Sequence, residues 1–283
     1  MCAVKIIVDS TSDIPAEECQ RLGIEMIPLK VHFGEETYLD GVTIGPGNFY
    51  DMLEASPVMP TTSQPSPNDF LELYKRILDK DPEAQIISFH LSSEFSGTYQ
   101  SAVIAKSMLE GEHDITVIDS RSASHGFGAA ALLAAEMAME GASKEQIVEA
   151  AHRMLKGMRI YFLVDTLEYL QRGGRIGKAA ALIGGLLNIK PILTIQDGVV
   201  APVEKTRGTK KAMNRIIEML EEEFGRSPVH VGIGWSKYDE QAKELLARMQ
   251  EKFDVRSVRH VLIGSVIGAH VGPGTSAVFM YKA

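Results

Sequence analysis

The run HLSSEFSGTYQSA, residues 90–102, sets Ser92, Ser93, Ser96, Gly97 and Thr98 between the apolar stretch QIISFH and a helix-like stretch. Small hydroxyls at a helix start suit one chemistry above others. The first amides of a helix lack intrahelical partners, and the helix dipole places positive potential there. A loop of donors entering a helix is therefore ready to hold an anion. Taken singly, Ser96 is as well explained as a plain N-cap. Repetition shifts the balance: DSTSD at 9–13, TTSQPS at 61–66 and SSEFSGT at 92–98 are all hydroxyl clusters at strand or loop ends. Loops leaving the carboxyl ends of parallel strands gather at one edge, where ligands bind.

A second chemistry uses the same serine. Ser96, a later aspartate (Asp119 or Asp165) and His270 run in the order of the α/β-hydrolase triad. The nucleophile elbow, however, is G-x-S-x-G, and here Glu94 stands where its first glycine closes the strained turn. A serine hydrolase or acyltransferase using Ser96 and His270 stays as the alternative. Other chemistries are excluded. The chain has no G-x-x-x-x-G-K-[ST], no G-x-G-x-x-G after its first strand and no H-E-x-x-H. Histidines 32, 90, 113, 125, 152, 230, 260 and 270 show no ligand spacing, so no metal and no cofactor are expected.

The elements that must position these residues alternate. Residues 4–9 form a buried strand, 15–23 a short helix stopped by Gly23, and 24–33 an extended stretch. Residues 35–41 read as an edge or hairpin, and 46–56 as a helix. A Pro/Ser/Thr-rich loop, 57–67, leads to a helix over 67–79, the strand 85–90, and the hydroxyl loop with its helix. A strand at 114–120 follows. The helix 126–141 is apolar almost all round and therefore buried. The helix 143–158 carries Ser143 and Gln146 at capping-box spacing. Further on, the strand 159–166 and short helix 167–174 precede KPILTI-QDG-VVAPVEK, a hairpin around Asp197-Gly198. A helix over 209–224, a strand over 229–236, a helix over 239–253, a strand over 255–264 and a final strand complete the chain. The pattern predicts an α/β protein of two domains. The N-terminal one, residues 1–160, is a Rossmann-like parallel sheet carrying the Ser/Thr-rich loops. The smaller C-terminal one, 161–283, is mixed α/β.

The chain's 283 residues, 45% of them hydrophobic and 23% charged, are enough for one large or two ordinary domains. A net charge of −8 argues against a nucleic-acid partner, and the densest basic group is only Lys205, Arg207, Lys210 and Lys211. Two cysteines, Cys2 and Cys19, form no disulfide framework. With no signal-peptide pattern and no apolar run long enough to span a bilayer, a cytoplasmic location is expected.

Six stretches together identify a family: IIVDSTSD (6–13), TSQPS (62–66), LSSEFSGTYQSA (91–102), VIDSRSASHGFG (117–128), YLQRGGRIGKAAALIGGLLNIKPIL (169–193) and IGAHVGPG (267–274). In order and spacing, over essentially the whole chain, they resemble the DegV family. This is a bacterial family of fatty-acid-binding proteins that includes the binding subunit of fatty acid kinase. The resemblance implies a long-chain fatty acid, such as palmitate or oleate, held between two α/β domains. Its carboxylate would meet Thr62, Ser96 and His270, with Ser63, Ser93 and Gly97 beside them. Arg175 and Arg207 would face the phosphate or a separate kinase subunit. The role implied is a carrier in lipid transport and phospholipid metabolism rather than an enzyme, with transient membrane contact allowed. Phe95 departs from the leucine of many members, close to the head group. Met154, Met158, Leu182, Ile183, Leu186 and Leu187 are candidates for the tunnel wall. The glycines of GAHVGPG would bare the backbone for close approach to the ligand.

Overall fold

The computed structural model describes residues 4–183 and 189–283. In the first half the chain forms β1 (Val4–Asp9), a 3-10 turn (Ser10–Ser12), α1 (Ala16–Leu22), β2 (Glu25–Ile27), β3 (Lys30–Phe33), β4 (Glu36–Leu39), α2 (Pro46–Ala55), β5 (Thr61–Ser63), α3 (Pro67–Leu78), β6 (Gln85–His90), α4 (Thr98–Ser107), β7 (Ile115–Asp119), α5 (His125–Met139) and α6 (Lys144–Gly157). Strands order β2-β1-β6-β7 in an all-parallel sheet. Its side chains alternate between two apolar faces, as a doubly covered sheet requires. Ile6, Val8, Ile87 and Phe89 pack with Phe127, Ile147 and Ala151 of α5 and α6. Ile7 and Ile86 pack with Phe70, Tyr74, Ala102 and Ala105 of α3 and α4. Each fully buried isoleucine, valine or phenylalanine among them contributes about 1.5–3 kcal/mol.

The helix ends follow their sequence signals. Gly23, at φ 65°, stops α1. Ser66 and Asp69 form a capping box on α3, and Ser143 and Gln146 form one on α6. The stretch read as the loop 57–67 contains β5, which joins β3 and β4 in a three-stranded antiparallel sheet. Thr61, Thr62 and Ser63 favour loops and strands alike; pairing with Lys30, Val31 and His32 decides for a strand.

The second half forms β8 (Arg159–Leu163), α7 (Glu168–Arg172), a 3-10 segment (Gly177–Leu182), β9 (Ile189–Gln196), β10 (Val199–Arg207), α8 (Thr209–Phe224), β11 (Val229–Trp235), α9 (Glu240–Lys252), β12 (Val255–Leu262), α10 (Ser265–Val271) and β13 (Ser276–Lys282). These strands order β10-β9-β8-β13-β11-β12, with β11 and β12 parallel and the other pairs antiparallel. The β9–β10 hairpin turns at Asp197 and Gly198, φ 55° and 83°, the left-handed pair an Asp-Gly turn provides. One face of this sheet packs on α8 and α9 through Leu163, Ile192, Val231, Ile233, Val278 and Met280. The opposite face is covered in part by α5, α6, α7 and the 3-10 segment, through Phe162, Leu193, Val200, Ala277 and Phe279, and the part left free borders the cavity described next. No described helix is long and apolar enough to cross a membrane.

Candidate functional site

Three groups of elements enclose one cavity of about 880 Å³ of empty space, its open mouth included. The first group is the carboxyl edge of the parallel sheet, where the loop after β6 gives Leu91, Phe95 and Ser96 and the loop after β7 gives Ala123 and Ser124. The second is β5 and its exit, giving Thr62, Ser63 and Gln64. The third is the free face of the six-stranded sheet together with α10.

That free face supplies the apolar wall through directly paired side chains. Ile160 faces Phe279, and Phe162 faces Ala277, across β8 and β13. Ile195 faces Val200 across the hairpin. From α10 come Val266, Ile267, His270 and Val271. The tunnel candidates Met154, Met158, Leu182 and Ile183 are not part of this wall. Met154 and Leu182 pack at the edge of a core cluster, Met158 is inside it, and Ile183 is exposed. Leu186 and Leu187 lie outside the described residues. Strands carry the wall because residues two apart on a strand share one face, which gives an extended flat lining.

The polar groups gather in one place. The Thr62 hydroxyl and His270 Nε2 are 2.9 Å apart, although 208 positions separate them in sequence. His270 Nδ1 is buried with no partner. A buried bare nitrogen acceptor costs less than a buried unpaired N–H, so the neutral ring is assigned the tautomer protonated at Nε2. Nε2–H then donates to Thr62, leaving the threonine O–H free to donate into the cavity. Burial, helped by the nearby Arg175 charge, pushes the His270 ring down to about 4. Ser96 Oγ lies 2.9 Å from Thr98 Oγ1 and accepts from the Thr98 amide, 3.3 Å, so it caps α4 while lining the cavity. Ser63 lines the cavity too, and its hydroxyl is 2.9 Å from His32 Nε2. Gly97 is not in the lining, but a Cβ there would sit 3.0 Å from Gln64 Nε2, so its bareness makes room for a lining residue.

The remaining candidates divide. Arg175 lines the cavity, with Nε donating to the Phe95 carbonyl, 3.1 Å, and Nη1 to the Gly173 carbonyl, 2.7 Å. Arg207 is exposed at the end of β10, away from the lining. Ser93 is exposed, and its amide and hydroxyl bind Asp119 at 3.1 and 2.6 Å. The DSTSD cluster also stays outside. Thr11 bonds Asp9, the Ser10 hydroxyl accepts from the Leu29 amide, and Ser12 accepts from the Ile14 amide. Asp9 further accepts from the Leu91 amide, 3.0 Å, tying the ends of β1 and β6 together. These hydroxyls serve the turn itself. Gln64 and Ser124 line the cavity and were not singled out from sequence. Gln64 was legible, since it sits within the TSQPS run.

The glycines near His270 serve packing, not ligand approach. A Cβ on Gly268 would lie 2.6 Å from the Tyr50 hydroxyl, and one on Gly272 or Gly274 would overlap Tyr169 or Asp165. Gly272 and Gly274 also take φ of 73° and 78°. Gly173, which ends α7 with φ −73°, has no side chain, and a Cβ there would overlap His270 Nδ1. Its absence of a side chain is what lets the histidine ring sit where it does.

The arrangement can hold a molecule with one polar group and a long apolar body. Among the described residues Ser96 has no hydrogen bond to His270, and the one hydrogen bond of the His270 ring is to Thr62, so among them neither a base for the serine nor a carboxylate behind that base is in place. Among the described residues no three His, Cys, Asp or Glu side chains form a metal-binding group.

Comparison with known proteins agrees over the full length. A DegV domain-containing protein of Caldanaerobacter subterraneus is 39% identical over 279 residues, 98% of this chain and 98% of that protein. A solved structure of a DegV family protein from Thermus thermophilus, described by its fatty acid binding, superposes with a TM-score of 0.92 at 35% identity, covering 99% of this chain and 100% of that one. A stearic-acid-binding protein from Eubacterium ventriosum superposes with a TM-score of 0.88 at 27% identity, covering 99% and 98%. The model of an uncharacterised protein family, DegV, matches residues 3–283, and with matches of this extent the chain belongs to the DegV family.

Proposed function

We propose that this protein is a carrier that binds one long-chain fatty acid, with its carboxylate at Thr62, Ser96 and His270 and its tail along the strand-built wall. The observation that carries this reading is one cavity that holds the Thr62–His270 pair in its lining while strands β8, β9, β10 and β13 line it with apolar pairs. A buried carboxylate without partners is costly. Here hydroxyls, a neutral imidazole and the adjacent Arg175 meet it, and the long methylene chain gains about 0.8 kcal/mol for each group buried. Ser63, Gln64 and Gly97 complete the head-group wall, and Ser93 stands behind it. In this reading residues 1–160 and 161–283 are two units that share the ligand between them.

The carrier presents the carboxylate to a separate ATP-dependent kinase, with Arg175 beside the reacting group and Arg207 on the surface toward the partner. The location is cytoplasmic, and exchange of the fatty acid involves transient contact with a membrane. The sequence has no phosphate-cradling loop with lysine. Incubation with ATP, Mg²⁺ and oleate should therefore yield no acyl-phosphate unless a partner is added; product from the protein alone contradicts the division of labour.

The deciding experiment is mass spectrometry of lipid extracted from protein purified under mild conditions. Copurified free fatty acid supports the carrier. Turnover of an ester substrate, abolished by Ser96→Ala, supports the hydrolase instead. Ser96→Ala should otherwise only weaken fatty-acid binding, by about 1–2 kcal/mol, the loss of one hydrogen bond to a charged group.

A further inference from the structure

Helix α10 carries four of the cavity-lining residues, His270 among them, but none of its own side chains caps its first turn. The caps come from far away in sequence. The Gly264 amide donates to Asp13 Oδ1, 2.9 Å, and the Ser265 amide donates to Asp40 Oδ1, 3.1 Å. Asp13 sits just after β1 with φ 54°, and Asp40 just after β4, only 3% exposed. The other oxygen of Asp13 is bonded to the Ser124 hydroxyl, and Ser124 itself lines the cavity. Tyr50 of α2 donates to the Ile263 carbonyl, 2.9 Å, on the strand side of the same turn. The two carboxyls thus join three pieces of the cavity wall: the entry to α10, the loop after β7 and, through the Asp40 amide on the Leu29 carbonyl, the segment before β3.

We propose that Asp13 and Asp40 are positioning residues for the fatty-acid site, seating α10 so that His270 meets Thr62. The proposal rests on the carrier reading for its ligand, and on geometry for the seat. Among the described residues the His270 ring has one hydrogen bond, to Thr62 at Nε2, while Nδ1 lies against the bare Gly173 without a partner. Its position therefore depends on where the helix lies. Two carboxylates against one helix end are favoured singly by the dipole but repel each other when both are charged.

The surroundings favour a protonated Asp13 at neutral pH. Asp13 is faced by Asp40 from the turn after β4, Asp9 from the end of β1, Ser124 from the loop before α5 and the Gly264 amide. Tyr50 of α2 stands near both aspartates. Burial first, then the Asp40 and Asp9 charges, push Asp13 up to about 8, against the pull of Ser124 and Gly264. Burial also raises Asp40, opposed by Ser10, Ser265 and Val266. A protonated Asp13 can keep both contacts, accepting from Gly264 and donating to Ser124. Ionisation of Asp13 as the pH passes about 8 places a buried charge beside the Asp40 carboxyl and loosens the seat.

The test compares wild type, Asp13→Asn and Asp13→Ala in two readouts. Asparagine mimics the protonated acid, accepting at Oδ1 and donating from Nδ2, whereas alanine removes both contacts. The first readout is hydrogen exchange of the peptide spanning 264–271 without ligand. The second is binding of tritiated oleate, kept below its micelle concentration, from pH 7 to 9.5. Expected are protection of α10 in wild type and Asp13→Asn at pH 7, and its loss in Asp13→Ala. Oleate should bind at least threefold more weakly to wild type at pH 9.5 than at pH 7. Asp13→Asn should bind as wild type does at pH 7 and show no such decline, and Asp13→Ala should bind about tenfold more weakly. Full protection and affinity in Asp13→Ala, or a pH decline that persists in Asp13→Asn, overturns the proposal. If wild type binds no fatty acid at any pH, the carrier reading fails, and the exchange data alone still decide whether Asp13 seats the helix.

Discussion

The His270 ring joins the chemistry of the site to its electrostatics. Burial holds it neutral, with its folded value near 4 against about 6.5 in the unfolded chain. A group depressed in this way contributes stability that is present above the unfolded value and is lost as the pH falls through the folded one. An NMR titration of the His270 ring should accordingly show no inflection between pH 8 and 5, and the unfolding free energy should decline as pH drops from 6.5 toward 4. An inflection near 6.5 would show that the ring is solvated and is not the buried partner of Thr62. Gly173 offers a second test of the same residue. Its α-carbon leaves space for His270 Nδ1 that a methyl group would fill, so Gly173→Ala must push the ring away from Thr62. Fatty-acid affinity should fall about tenfold, roughly 1.4 kcal/mol, by calorimetry on the folded variant. Unchanged affinity would detach the ring's position from binding. Sequence alone pointed to His270, Thr62 and Ser96 through their motifs. It misassigned the neighbouring glycines, because whether a missing side chain makes room for a ligand or for Tyr50, Tyr169, Asp165 or His270 depends on tertiary neighbours.

At the scale of elements, what was legible tracks how local the signal is. The hairpin at Asp197-Gly198, the capping boxes of α3 and α6 and the span of α8 all follow from residues within a few positions of one another. Helix α10 does not. Its seven residues include Val266, Ile267, Gly268 and Val271, poor helix formers, and its caps are supplied by Asp13 and Asp40, more than two hundred positions away. Strand β5 depends likewise on pairing with β3. The wall strands alternate cavity and core residues, Ile160 and Phe162 against Tyr161 and Leu163 for example, but both sets are apolar, so period alone cannot say which face meets a ligand. Because α10 is set by packing, it should be sensitive to volume. A methyl group on Gly268 would stand 2.6 Å from the Tyr50 hydroxyl and 2.9 Å from the Phe49 ring, both fully enclosed. Gly268→Ala should lower the unfolding free energy by about 1–3 kcal/mol in denaturant titrations, the usual cost of overfilling a packed core. A stability equal to wild type would mean that the helix moves freely on α2.

For the whole molecule, the cavity exists because two sheets of different construction each leave something uncovered. The parallel sheet is covered on both faces, so only its carboxyl edge is free, and that edge supplies loops and hydroxyls. The six-stranded sheet is covered by α8 and α9 on one face and only in part by α5, α6, α7 and the 3-10 segment on the other, so the rest of that second face supplies an apolar wall. Polar head and apolar body are thus recognised by different parts of the chain, and the energetic division follows. A carboxylate held by hydroxyls and a neutral histidine gains little net, since its desolvation offsets much of the hydrogen bonding. The tail must supply most of the affinity. Shortening a sixteen-carbon acid to eight carbons removes about eight methylenes, on the order of 6 kcal/mol at about 0.8 kcal/mol each. This is an upper bound, because the emptied part of the wall can collapse or retain ordered water. Palmitate or oleate should therefore bind at least a hundredfold tighter than octanoate at pH 7, and a fatty alcohol should bind less tightly than the acid of equal length. Calorimetry over a chain-length series on delipidated protein measures both. Equal affinities for octanoate and palmitate would mean that the paired strands Ile160–Phe279 and Phe162–Ala277 do not enclose a tail, and the wall would then need another explanation.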